Sequence, residues 1–417
     1  MKKNEVKDFH IIDMTTKGEG IAKEENFIYF IDNTIPGDDV RARITLVKKN
    51  YAKAEVVEWI RQSEKRIDPP CPHFFECGGC QIMNMDYQSQ LDLKRKMVVD
   101  ALERIGHLEN ADPLTEQTLG MERPYEYRNK AQYKISKDGR IGLYKKRSHE
   151  VVPIDSCLIQ KGGEQETIKV LNQIIRELEF TVYDETTGKG TLRGIVERVS
   201  FATGERMFIF VLNKDRRDLA EKAALLLTEK LPNVASVYLN VNTEKTNRVL
   251  GRKSTCVLGK DKITDQIGKL TFEISPLSFF QVNPKMTEVI YDKVLEYAQT
   301  TKDKNIIDLY CGMGTIGLYI GEKAKQVYGI EESSSSIRDA NKNAKRNNRS
   351  NATFIQGKVE EEMEKLLKEV KGDIVVLDPP RKGCDESLLN RLMESNVERV
   401  VYVSCNPATL ARDLDIL

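Results

Sequence analysis

A doubly wound α/β domain, preceded by a small β-barrel and a mixed α+β region, is the architecture this sequence predicts. Three observations carry the prediction. From residue 286 onward apolar strands alternate with helical stretches; residues 1–62 break into short strands between turn residues; the stretch between them follows neither rhythm. Alternating strands and helices are the mark of a parallel sheet with right-handed crossovers. Short strands at close, even spacing mark a small barrel.

In the first region, "KGEGIAKEENFIYFIDNTIPGDDVRARITLVKKNYAKAEVVEWI" predicts strands near 20–23, 27–31, 39–47 and 52–59. Gly18, Gly20, Asp32-Asn33 and Pro36-Gly37-Asp38 separate them, and an antiparallel barrel of this OB-like kind often grips oligonucleotides. The charged stretch "RQSEKRIDPP" closes the unit. A helix is expected over 87–106, with Leu91, Met97, Val98, Ala101 and Leu102 toward one face and Gly106 at its end. The central region predicts strands at 131–136, 195–200, 206–212, 235–241 and 270–274, and helices at 164–178 and 217–230. The last region predicts strands at 305–310, 326–331, 352–357, 373–378 and 399–404, the last of them buried. The expected domains are a barrel over 1–62, a central domain over 67–88 and 122–270, and a catalytic domain over 89–121 and 271–417.

At 417 residues the chain is too long for one ordinary domain. No apolar run approaches the roughly 20 residues of a membrane helix, and the charged start "MKKNEVKDFH" has no apolar stretch behind it, so a cytoplasmic monomer is the expectation. A net charge of +1 gives no whole-protein reason to bind nucleic acid. Residues 121–150 differ, holding nine Lys/Arg against four Asp/Glu with Tyr125, Tyr127, Tyr133 and Tyr144 interleaved. Cations that meet phosphates beside rings that stack on bases suit single-stranded RNA; a solvated hairpin face is the plainer alternative.

The first strand of the α/β region runs into "DLYCGMGTIG". Gly312, Gly314 and Gly317 form G-x-G-x-x-G between a strand and a helix, a turn that lets a nucleotide approach the helix start. The next strand ends in Glu331, nineteen residues after Gly312, where a carboxylate can accept from both ribose hydroxyls. NAD and S-adenosyl-L-methionine both fit such a loop. The fourth strand ends in "LDPPRKG", where Asp378 faces the crevice and Pro379-Pro380 stiffens the exit. The fifth ends in "YVSCNPATLARDL", which places Cys405 at the mouth of a strand. Cys71, Cys77 and Cys80 read C-x5-C-x2-C, with Cys157 downstream, a soft four-thiolate set open to zinc or an iron–sulfur cluster. The "CGGC" pair lacks the βαβ setting of a redox motif. Cys256, Cys311 and Cys384 have no partner pattern and read as structural.

Taken in order, "DLYCGMGTIG", "GIEES", "LDPPRKG" and "YVSCNPATLARDL", with "SFFQVNP" at 278–284, resemble the RNA (uracil-C5)-methyltransferase family. The resemblance spans nearly the whole chain. It implies a class I (Rossmann-like) methyltransferase sheet, an N-terminal TRAM domain and S-adenosyl-L-methionine as methyl donor. It places Cys405 as the nucleophile that adds to uracil C6, and Gln281, Tyr310, Gly312, Gly314, Glu331 and Asp378 around cofactor and substrate. It further implies a [4Fe-4S] cluster on Cys71, Cys77, Cys80 and Cys157, with zinc as the alternative. The cysteine set resembles the branch acting on 23S ribosomal RNA, with a target uridine flipped out or already in a loop. Thr315 and Lys358 stand where relatives carry other polar residues and are not assigned. A transfer-RNA enzyme, an NAD-dependent oxidoreductase and a non-catalytic RNA-binding protein are the competing readings. The family's general base is a glutamate downstream of the nucleophile; none follows Cys405 here, so it is expected beyond Leu417, with slow product release as the consequence.

Overall fold

The computed structural model describes residues 2–246 and 248–417. The chain divides into two units, one of residues 1–99, 113–120 and 142–154, the other of 100–112, 121–141 and 155–417.

The first unit opens with β1 (Val6–His10), β2 (Asp13–Met14), β3 (Glu19–Glu24), β4 (Phe27–Asp32), β5 (Asp39–Val47) and β6 (Tyr51–Arg61). They form one sheet in the order β1-β5-β6-β4-β3-β2. Because β1 and β2 follow one another along the chain yet stand at opposite ends of that order, the sheet curls back on itself. Alternate residues of the strands turn inward, so that Phe9, Ile11, Tyr29, Ile31, Val40, Ala42 and Ile44 fill the interior. Two details correct the sequence prediction. β1 and β2 were not foreseen, because charged residues interrupt β1 and β2 is only two residues long. The sheet is also not wholly antiparallel, since β4 and β6 pair in parallel. After it come the Cys71–Cys80 loop and α1 (Tyr87–Arg104), whose Leu93 and Met97 pack with Met14, Ile35 and Met85.

β7 (Lys130–Ile135) belongs to the second unit, whereas β8 (Ile141–Tyr144) and β9 (Val151–Pro153) form a hairpin. The second unit continues through α2 (Gln165–Glu177), β10 (Leu192–Val199), β11 (Arg206–Leu212), α3 (Arg217–Lys230), β12 (Val234–Val241) and β13 (Lys253–Gly259). Its mixed sheet runs β13-β12-β11-β10-β7, with β11 and β12 parallel. A hairpin of β14 (Ile263–Ile267) and β15 (Leu270–Ile274) leads into α4 (Pro284–Ala298).

The α/β sheet follows as β16 (Asn305–Leu309), α5 (Thr315–Ile320), β17 (Gln326–Glu331), α6 (Ser334–Arg346), β18 (Ala352–Gln356), α7 (Val359–Glu369), β19 (Ile374–Leu377), α8 (Glu386–Glu394), β20 (Arg399–Tyr402) and α9 (Pro407–Ile416). All strands are parallel in the order β18-β17-β16-β19-β20. Ile306 and Val376 point to a core shared with Val196, Met207 and Ile209 of the mixed sheet. Ile307, Leu309 and Val375 point the other way, onto Met363 of α7 and Leu388 and Leu389 of α8. Each such side chain contributes about 1.5–3 kcal/mol by leaving water. The chain starts in the middle of this sheet at β16 and goes first one way and then the other. Strand order therefore reverses between the neighbours β16 and β19, and the crevice at their carboxyl ends is where such sheets hold ligands. One expectation needs correction: β20 is an edge strand and only partly buried, with Val400 37% exposed and Val401 alone well covered. A run of valines reads as buried on both faces, but burial here depends on which neighbours the strand has.

Candidate active site at the strand ends

β16 ends in Leu309, and the chain then turns sharply: Tyr310, Gly312 and Gly314 have φ of +62°, +55° and +80°. Left-handed backbone at a non-glycine residue costs about 1 kcal/mol or more and marks a functional turn. Tyr310 is held there by its hydroxyl, which donates to Glu360 Oε1 at 3.2 Å. A Cβ on Gly312 would meet nothing within 4 Å, so that turn borders open space; at Gly314 it would strike the Phe354 ring at 2.7 Å. Glu331, at the end of β17, accepts from the backbone N–H of Gly312 at 3.2 Å and of Ser333 at 2.8 Å. The carboxylate is thereby fixed beside the glycine turn.

Two further carboxyls lie close by. Asp308 is fully buried in β16 and accepts from Gly317 N–H at 2.8 Å, while its Oδ1 has no partner among the described residues. Burial, with smaller help from Asp378 and Glu331, pushes it up to about 7. Asp378 follows β19 and is pushed up to about 6 by burial. Tyr291 of α4 meets Thr315 at 2.7 Å and lies within the field of Asp378 and Asp308. Thr315 thus pins the start of α5 to α4, and Lys358, at the start of α7, pairs with Glu361.

Cys405 is exposed just beyond β20. Its loop is laced on both sides. Ser404 Oγ donates to Asn406 O and accepts from Asn406 N. The Asn406 side chain caps α9 by accepting from Ala408 N at 3.2 Å and donates to Arg381 O at 3.3 Å. Thr409 and Arg412 donate to Arg381 O, Lys382 O and Cys384 O. Beneath them Asp413, fully buried, accepts from Tyr402 Oη at 2.5 Å and from Cys384 N at 2.8 Å. The Asp-Pro-Pro-Arg exit of β19 and the Ser-Cys-Asn-Pro exit of β20 therefore form one braced surface. Asp413 serves that brace, and Asp415 meets His107 at 3.2 Å.

The "SFFQVNP" segment is secured differently. Asn129 donates its backbone N–H to Val282 O and its side-chain amide to Gln281 O, both at 2.9 Å. Asn283 caps α4, with Pro284 in the first turn. Of the residues that sequence reading missed, Asn129 and Asp308 matter most. Asp308 opens the "DLYCGMGTIG" motif but sits inside an apolar strand, where only the tertiary structure shows its burial, and Asn129 lies in a basic run with no local signal.

Among the described residues no group of three or more His, Cys, Asp or Glu is gathered closely enough to hold a metal ion. Cys71, Cys77 and Cys80 lie in the first unit and Cys157 in the second. Cys77 accepts from Gly79 N at 3.3 Å, and burial raises its pKa. Tyr133 is also no stacking ring: it is fully buried and donates to Glu197 at 3.2 Å.

The family described as tRNA (uracil-5-)-methyltransferase matches residues 87–417, and the TRAM domain matches residues 4–57. The chain belongs to the tRNA (uracil-5-)-methyltransferase family. An uncharacterised RNA methyltransferase of Clostridium tetani is 46% identical over all of this chain and 91% of its own length. One of Caldanaerobacter subterraneus is 42% identical over all of this chain and 93% of its own. A Pyrococcus abyssi tRNA (uracil-54, C5)-methyltransferase, solved with S-adenosyl-L-homocysteine, superposes with a TM-score of 0.77 at 27% identity, covering 99% of this chain and 93% of that one. The uracil-5 methyltransferase fold and an N-terminal TRAM domain make this chain an RNA methyltransferase that uses S-adenosyl-L-methionine. No helix among the described residues is long and apolar enough to cross a membrane.

Proposed function

We propose that the chain methylates C5 of a uridine in RNA through covalent addition of Cys405 to C6. The observation that carries this reading is an exposed thiol on a strand exit braced to the neighbouring exit, which carries the buried carboxyl of Asp378. Uracil C5 is a poor nucleophile. When the Cys405 thiolate forms a bond to C6, the C5=C6 electron pair moves toward O4 and C5 becomes nucleophilic. The donor supplies the electrophilic methyl that C5 then takes. Loss of the C5 proton lets the electron pair return, and the C6–S bond breaks to release the thiolate. Asn406 holds the sulfur at the strand mouth, Glu331 binds the donor's ribose, and Gln281 and Asp378 orient the uracil. Removal of the C5 proton is assigned to no described residue: Asp413 is consumed by the brace and Asp415 by His107.

23S ribosomal RNA is the proposed substrate, on the cysteine spacing alone. Transfer RNA is the second reading, favoured by the likeness to the Pyrococcus enzyme over nearly the whole chain. The cysteines carry no step in either. Trapping tests both. The protein, S-adenosyl-L-methionine and RNA containing 5-fluorouridine are combined and run on a denaturing gel. Fluorine cannot leave as a proton, so the methylated adduct persists. A protein–RNA band with a 23S fragment, absent in Cys405→Ala, is expected. A band with transfer RNA alone would transfer the assignment to the second reading, and no band with either RNA would sink the covalent mechanism.

A further inference from the structure

The basic, tyrosine-rich segment is two different things in three dimensions. Most of the cations in its later part have carboxylates: Arg140 pairs with Asp138, Lys145 with Glu150, Lys146 with Asp32, and Arg147 with Glu19 and Asp32. Lys130 does not. It opens β7, and its cross-strand partner in β10 is Arg198. Directly opposed residues in adjacent strands share a face, so two like charges are held side by side, which is destabilising. Arg198 is only 4% exposed and its Nε is buried without a partner. Its Nη2 donates to Pro276 O at 3.4 Å and Ser278 O at 2.5 Å, which are carbonyls and bring no countercharge. No carboxylate pairs with Lys130, Arg128 or Arg198 among the described residues. Burial and the two neighbouring guanidinium groups lower Lys130 to about 8, as a cation without an anion must be. Buried charge is ordinarily paired, and a buried unsatisfied donor calls for a missing partner.

The location narrows what that partner is. Asn129, next to Lys130, pins Gln281 and Val282, and Arg198 braces the same segment at Ser278. Lys130 is half-buried and reachable, whereas Arg198, opposite it on β10, is a buried positive charge. We propose that Lys130, backed by Arg198, seats one phosphodiester of the RNA substrate against the 275–283 segment. This rests on the reading of the chain as an RNA methyltransferase and deepens it. The phosphate supplies the countercharge that the cation pair lacks, and it fixes the RNA backbone relative to the segment carrying Gln281.

The test is the salt dependence of RNA binding, measured without turnover. A fluorescein-labelled oligouridylate of about 20 nucleotides is titrated with wild type, Lys130→Met and Lys130→Arg at several salt concentrations. One phosphate contact on a single strand contributes about 0.7 to the slope of log K against log salt. Lys130→Met is expected to flatten the slope by about that much, weaken binding about five-fold at low salt, and leave S-adenosyl-L-methionine affinity unchanged. Lys130→Arg is expected to restore the slope. An unchanged slope in Lys130→Met would overturn the proposal. Thermal melting distinguishes misfolding, because removing a repelled cation should keep the fold at least as stable. The 5-fluorouridine trap fails or succeeds separately: a lost adduct with a Lys130-dependent slope would remove the covalent reading and leave the phosphate seat standing.

Discussion

Cys405 and Cys77 both stand in short loops whose residues announce chemistry, yet the structure treats the two loops differently. The Cys405 loop is bounded by β20 and α9, and side chains of Asn406, Thr409 and Arg412 tie it to the neighbouring strand exit. The Cys71–Cys80 loop has no flanking strand of the parallel sheet to aim it. Within it Gly78 N–H donates to Tyr144 O at 2.8 Å. A parallel sheet brings all its carboxyl ends to one edge, so motifs placed there converge automatically.

The largest effect that would break this contrast is at the nucleophile. Cys405→Ala should lower methylation by about 10³-fold or more while S-adenosyl-L-methionine binding, measured calorimetrically, stays unchanged. Next comes Asp378, which burial sets at about 6. It is protonated below that value and ionised above, so a mechanism using the carboxylate should speed up between pH 5 and 7. Asp378→Asn should flatten that profile and cost roughly 10–100-fold in rate. Asn406→Ala removes both a helix cap and the tie to Arg381. About 1 kcal/mol of stability and about ten-fold in kcat should go, with KM for the donor unmoved; equal losses in kcat and donor binding would argue against a brace.

Asp308 gives a smaller, thermodynamic effect. Its folded value of about 7 lies above the ordinary carboxylate value of 3.8. Between these the folded state holds a proton that the unfolded state has lost, so stability falls as pH rises through the window. Asp308→Asn should therefore raise the free energy of unfolding more at pH 8 than at pH 5, by something on the order of 1–3 kcal/mol in denaturant titrations. Smallest of all, Cys77→Ser should change donor affinity by less than about two-fold, because Cys77 is in a different unit from the glycine turn. A large loss would show that the cysteine loop and the strand ends are coupled.

Much of the fold was legible because long apolar periodicity is a local property. β17 and the bounds of β11 and β15 agree with the sequence prediction residue for residue. The glycine turn, Glu331, Asp378 and Cys405 were legible for the same reason: each stands where a strand stops, and strand ends are visible in sequence. What failed depended on neighbours. The valine-rich β20 was read as buried, but it pairs on one side only. Tyr133 looked like a base-stacking ring, but β7 turns it onto Glu197. The nine cations of 121–150 looked alike, and only pairing separates Lys130 from Lys146.

By itself the sequence determined the strand–helix alternation of the parallel sheet, the residues at its strand exits and the family to which the chain belongs. These follow from short-range periodicity and from residue types that allow few backbone conformations. Tertiary structure alone decided which charges are neutralised and which carboxyls keep a proton. Those depend on distances of a few ångströms between residues far apart in the chain, where the strength of an interaction is set by burial and by partners.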